Sequence, residues 1–219
     1  MARRGRKSIA AERRAQILDA FHICAVRKGL ERASLREVAE EAEVPVSNLH
    51  HFFKNRDEML SELVKRIVGG IVDDLKAEAR HPGSSKSRLE RVLEFLLGSR
   101  AQKLEDGSLY YDLWSMAHRS QTVRQTFQDL IRDQRETFFE LLAGTSNLSN
   151  LPKTEKKEIA NIIIALVEGT FYVLDMDSAN VCSKRMAHLT RRFLELYAKE
   201  RTREKAKRKR SPPSVEGHR

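Results

Sequence analysis

Cysteine is nearly missing from this chain: 219 residues hold only Cys24 and Cys182. Two isolated thiols supply neither a disulfide framework nor a zinc cluster. Each falls in an apolar helical pattern, so both are expected to be buried free thiols. Proline (5) and glycine (10) are also scarce, which argues against a turn-rich sheet sandwich, whereas Leu, Ala, Glu, Lys and Arg are plentiful and favour helices. An all-α protein is expected. The chain lacks G-x-S-x-G, a phosphate loop, H-E-x-x-H and a glycine-rich dinucleotide fingerprint, so no enzyme, cofactor or metal is expected. No apolar run is expected to span a bilayer, and no basic amphipathic helix stands alone. The opening MARRGRKSIA is basic but lacks the apolar stretch of a signal peptide, and a cytoplasmic location is expected.

What is present is a 40% hydrophobic content, enough to bury a core, and a net charge of +10 that is unevenly placed. Residues 1–56 carry 12 Lys+Arg against 7 Asp+Glu, and residues 199–219 carry 9 against 3, so the 142 residues between them have a net charge of −1. A near-neutral body with two basic ends points to a polyanion partner, nucleic acid first, because Lys and Arg that neutralise phosphates release condensed counterions.

Along the chain, residues 1–8 read as a flexible basic arm. Ile17, Phe21 and Cys24 then mark one face of a helix that Gly29 ends as a left-handed cap. Ser34 followed by Glu37 is a capping box, and Leu35, Val38, Ala39 and Ala42 give the apolar stripe of a short second helix. Glu43-Val44 is a tight turn, and Pro45 sits near the start of a third helix. Asn55 or Asp57 caps a long fourth helix through Leu60, Leu63, Val64, Ile67 and Ile71, which ends near His81-Pro82-Gly83-Ser84-Ser85. Helices follow through Leu89–Leu96, Tyr110–Trp114 and Val123–Leu141, then a loop over 144–152. The penultimate helix, Ile159 to Val173, is apolar on more than one face, and the last carries Met186, Leu189, Phe193 and Leu196. After Lys199 the apolar residues give out, and disorder is expected over 204–219.

A supporting helix followed by two short helices across a tight turn is a helix-turn-helix, whose second helix enters the major groove of duplex DNA. The residues are more specific than the spacing. Ile17-Leu18-Asp19-Ala20, Gly29, Ser34-Leu35-Arg36, Leu49-His50-His51-Phe52-Phe53 and Lys54-Asn55-Arg56 together resemble the DNA-binding domain of the TetR family of bacterial regulators. Glu43 stands in place of the family's turn glycine, Pro45 of its polar cap and His50 of its tyrosine. Leu113-Trp114 and Ala165 to Phe171 are similar to the BetI-type branch of that family. The resemblance implies an all-α fold with an N-terminal three-helix helix-turn-helix DNA-binding domain (9–56) and a C-terminal helical ligand-binding and dimerisation domain (57–203). It implies a homodimeric repressor that holds a palindromic operator and is released by a small-molecule effector.

Carried over by position, DNA contacts fall on Ser34, Arg36, Val46, Ser47, Asn48, His50, His51 and Arg56. Arg36 suits a guanine edge or a phosphate, Ser47 and Asn48 a base edge or phosphate, and Val46 a thymine methyl, while His50 and Arg56 take phosphate-facing places. Ser34 is also a helix cap, and the two roles can coexist. His50-His51 is a poor metal pair, since adjacent helical positions diverge, and Phe52 and Phe53 read as core. Arg4 and Arg6 either enter an adjacent minor groove or form a solvated arm. Tyr110, Trp114, Phe127, Glu168, Phe171 and Tyr172 are candidates for an effector pocket, and Ile163, Leu166, Val167 and Phe193 for the dimer interface. A DNA-binding architectural protein without an effector is the rival reading.

Overall fold

The computed structural model describes the backbone of residues 2–100, 107–145 and 148–210, and within these the side chains of all but 2–8, 85–87, 98–100, 107–108, 183, 205 and 208–210. Among the described residues there are nine α-helices and no strand. They are α1 (Ala2–Lys28), α2 (Leu35–Glu41), α3 (Val46–Phe52), α4 (Arg56–Arg80), α5 (Ser85–Glu94), α6 (Gly107–Met116), α7 (Gln121–Gly144), α8 (Lys153–Asp177) and α9 (Ser183–Arg210). A π-helical stretch, Phe95–Arg100, continues α5.

The local signals act as the residue chemistry demands. Gly29 adopts φ +86° and its N–H reaches the Ala25 carbonyl at 2.8 Å, closing α1. At the head of α2 the Glu37 N–H donates to Ser34 Oγ (3.3 Å) and the Ser34 N–H to Glu37 Oε2 (3.0 Å), a complete capping box. Asn55 caps α4 by accepting the Glu58 N–H at 2.9 Å. Ser120 caps α7 through the Val123 N–H and donates its hydroxyl proton to Asp57 at 2.8 Å.

Two compact units interleave along the chain. The first is residues 1–74 with 104–133, so α6 and the first half of α7 join the helix-turn-helix. Its core packs Ile17 and Phe21 of α1 with Val38, Leu49, Phe53, Leu60 and Leu63, and with Leu113, Val123 and Phe127 of α6 and α7. The second unit is residues 75–103 with 134–219, and its described buried residues include Leu93, Leu97, Phe138, Leu142, Ile159 and Ile163.

Several expectations change here. Helix α1 already includes residues 2–8, where a flexible arm was expected, and α9 runs to Arg210 rather than giving way at 204. In both cases a packed helix propagates into Ala, Arg and Lys, which extend helices readily once a nucleus exists. Residues 211–219 lie outside the described residues. Cys182 is exposed, whereas Cys24 is buried and burial raises its pKa. Lys153–Asn180 is after all long and apolar enough to cross a membrane by length and composition. Its apolar residues are spread over two faces, one turned into the second unit.

Glu43, between α2 and α3, has φ +52°, the left-handed conformation that favours glycine. An L-residue there costs about 1–2 kcal/mol, partly offset by the greater unfolded-state entropy of glycine. Glu43→Gly is therefore expected to raise stability by about 0.5–1 kcal/mol. A denaturant midpoint that stays put or falls would show that this turn is not strained.

Candidate nucleic-acid interface

Two arginines hold the helix-turn-helix together from within. The guanidinium of Arg56, half-buried at the head of α4, donates to the Ala33 carbonyl at 2.6 Å and the Leu30 carbonyl at 2.5 Å, with its Cζ 5.5 Å from the centre of the Phe21 ring. It thereby satisfies two carbonyls of the α1–α2 connection, where no helical N–H is in reach. Arg56 was expected at a phosphate; the structure turns it inward, because the long side chain reaches two converging carbonyls.

Arg14 was not foreseen. It donates to the Phe52 carbonyl at the end of α3, pairs with Glu58 at 2.7 Å and lies 4.2 Å over the Phe53 ring. Hydrogen bonds from Arg14 and from the Lys54 N–H hold the Glu58 carboxyl below its ordinary pKa. A signal was available: Arg14 shares a helical face with Ile17, Leu18 and Phe21, and a charge on an apolar stripe calls for a partner.

Ser34 is occupied as well. Its N–H and its hydroxyl both donate to Glu37 Oε2 at 3.0 Å. Lys28, followed by the Ser34 N–H and hydroxyl, depresses the Glu37 pKa to about 2. Ser34 is thus committed to the cap in this structure, with neither donor left for a phosphate.

What remains outward is a row of polar and small side chains. Arg36 is 83% exposed and makes only an exposed pair with Glu40 at 3.1 Å. Val46, Ser47, His50 and His51 are exposed and Asn48 half-exposed on α3, whose inward anchor is Leu49. The α3 backbone starts cleanly at Pro45, whose carbonyl accepts the Asn48 N–H at 2.9 Å. Arg4 and Arg6 belong to α1, but their side chains lie outside the described residues. Among the described residues no group of three or more His, Cys, Asp or Glu could hold a metal.

The effector candidates are divided between the two units. Tyr110 and Phe127 are buried in the core of the first unit, 6.5 Å apart edge to face, and Trp114 is exposed beside His118. Glu168, Phe171 and Tyr172 belong to the second unit, with Phe171 buried and Tyr172 exposed. The dimer set also splits. Ile163 and Val167 are buried within their own unit, whereas Leu166 and Phe193 are exposed. The outward stripe of α8 instead runs Ile162, Leu166, Gly169, Val173 and Met176, alternating four and three residues, which keeps one line along a helix. On α9 the exposed residues Leu189, Phe193 and Leu196 repeat that spacing.

A short helix with an outward polar row, anchored by one leucine and braced by half-buried arginines, defines a helix-turn-helix DNA-binding protein. Residues 17–63 match the family described as bacterial regulatory proteins, tetR family, and residues 84–197 match the tetracyclin repressor-like C-terminal domain. The chain belongs to the TetR family and is a transcriptional regulator. It is 24% identical to the HTH-type transcriptional regulator PksA of Bacillus subtilis (strain 168) over 198 residues, 90% of this chain and 95% of that protein. It is 22% identical to the regulator BetI of Rhizobium meliloti (strain 1021) over 185 residues, 84% of this chain and 89% of the other. The fold resembles that of a transcriptional regulator from Pseudomonas aeruginosa PAO1 with a TM-score of 0.79 at 16% identity, covering 89% and 94% of the two chains.

Proposed function

We propose that this protein is a cytoplasmic repressor that grips a palindromic operator as a homodimer and lets go when a small-molecule effector binds its helical body. The observation that carries the DNA-reading part is the outward row formed by Arg36, Val46, Ser47, Asn48, His50 and His51 on a scaffold that Arg14 and Arg56 brace from within. Arg36 and Asn48 are the base-reading pair, while His50 and His51 meet the phosphates. The dimer forms through the outward stripes of α8 and α9, since apolar lines of this kind are rarely left in water. Residues 9–56 hold the DNA and the body from 57 to 203 senses the effector, with Glu168 and Phe171, one turn apart on α8, at the effector site.

The test is binding of Arg36→Ala and Asn48→Ala to a duplex selected by the parent protein and to a scrambled one. Each variant is expected to lose about 1–3 kcal/mol on the selected duplex and less on the scrambled one. Equal losses on both would remove these residues from sequence reading. Release by an effector is tested through reciprocity: a ligand found by thermal shift must weaken operator binding by the factor by which operator weakens ligand binding.

A further inference from the structure

Helix α9 continues well past its packing. Ala198 is its last buried residue among those described, and Arg201 fixes the root of the extension beyond it. Arg201 donates from Nε to Glu155 Oε2 at 3.0 Å, makes a second bond from its terminal nitrogen to Glu155 Oε1, and also pairs with Glu204 at 2.6 Å. The Tyr197 hydroxyl donates to the same Glu155 at 3.0 Å. Residues 199–210 then add about 18 Å of helix, with 8 Lys+Arg against 2 Asp+Glu. From 205 to 210 there is no acidic residue. This segment lies outside both matched family domains, which end at residues 63 and 197.

We infer that the basic extension of α9, residues 199–210, is a second, sequence-blind binding site for the phosphates of duplex DNA. The composition selects among polyanions. A helix that docks on an anionic membrane needs an apolar face to enter the headgroup boundary, and in 199–210 the sole aliphatic side chain is Ala206, with no aromatic residue. Charge without an apolar face suits a phosphate backbone, which carries one negative charge per about 1.7 Å of duplex axis and rewards neutralisation by counterion release. The inference rests on the DNA-binding reading for its biological setting and names a separate site from the helix-turn-helix.

The experiment uses the full chain and a variant with Lys205, Lys207, Arg208, Lys209 and Arg210 all replaced by Gln, which keeps helix-forming side chains. Binding to a mixed-sequence duplex of about 30 base pairs is measured across salt, alongside sedimentation with phosphatidylserine vesicles. The slope of log affinity against log salt changes by about 0.9 for each phosphate that is no longer neutralised. The variant is expected to flatten the slope by at least about two, while keeping the parent ratio of selected to mixed-sequence affinity. A smaller change overturns the inference, as does a loss confined to vesicle binding. Should the substituted chain fail to fold, truncation after Arg203 gives the same comparison. Failure of the helix-turn-helix reading shows differently, as a parent protein with no preference for any selected duplex, and leaves the slope comparison standing.

Discussion

Replacing Arg56 with Met is expected to destabilise the N-terminal unit by about 2–4 kcal/mol, since each buried polar group left without a partner costs about 1–3 kcal/mol. Met keeps most of the length and still packs on Phe21, so the change removes chiefly the pair of charge-assisted bonds to the Leu30 and Ala33 carbonyls. Leu30 and Ala33 are themselves buried, and partial solvent access at Arg56 lets water recover only some of the loss. Chemical denaturation of parent and variant measures the change. Operator binding, measured where both are folded, should keep its salt slope. A variant with parental stability and a slope flatter by about one would place Arg56 on a phosphate and undo the inward assignment.

Phe193→Glu and Ile162→Glu are expected to convert the proposed dimer to monomer and to abolish tight operator binding, because one half-site alone holds the DNA weakly. In a two-fold interface each substitution enters twice, and a carboxylate buried without a partner costs several kcal/mol. A thousandfold or greater rise in the dimer dissociation constant, about 4 kcal/mol, is expected. Phe193 is 67% exposed and Ile162 56% exposed in the isolated chain, so neither change should disturb the fold of the protomer. Ile163→Glu is the contrast. That residue is fully buried in its own unit, and its replacement should unfold the protein rather than yield a folded monomer. Sedimentation with circular dichroism separates the outcomes, and dimers persisting in both surface variants would move the interface elsewhere.

The contrast between Ile162 and Ile163 marks the boundary of what could be read from residue order. Short-range chemistry was legible: Gly29 closing α1, the Ser34–Glu37 capping box, a cap on Asn55 or Asp57 that the structure gives to Asn55, and the helix-turn-helix spacing all depend on residues within a turn of each other. The family match was legible for the same reason, since its residues lie in one run from Ile17 to Arg56.

Phase and reach were not legible. A helix apolar on two faces, as α8 is, displays its period without saying which face meets its own core; packing in the second unit chose Ile163 and Val167, leaving Ile162 and Leu166 outside. Among the aromatic candidates, Tyr110 and Phe127 are buried while Trp114 and Tyr172 are exposed, a division that residue order did not display. Arg14 and Arg56 are charged side chains whose partners lie 38 and 44, and 23 and 26, residues away. The sequence by itself therefore determined the helices, their caps and the DNA-reading motif, because those are set by neighbouring residues. Only the tertiary structure decided which arginines brace the motif and which apolar faces stay open, because that choice depends on where distant carbonyls, carboxylates and core residues converge.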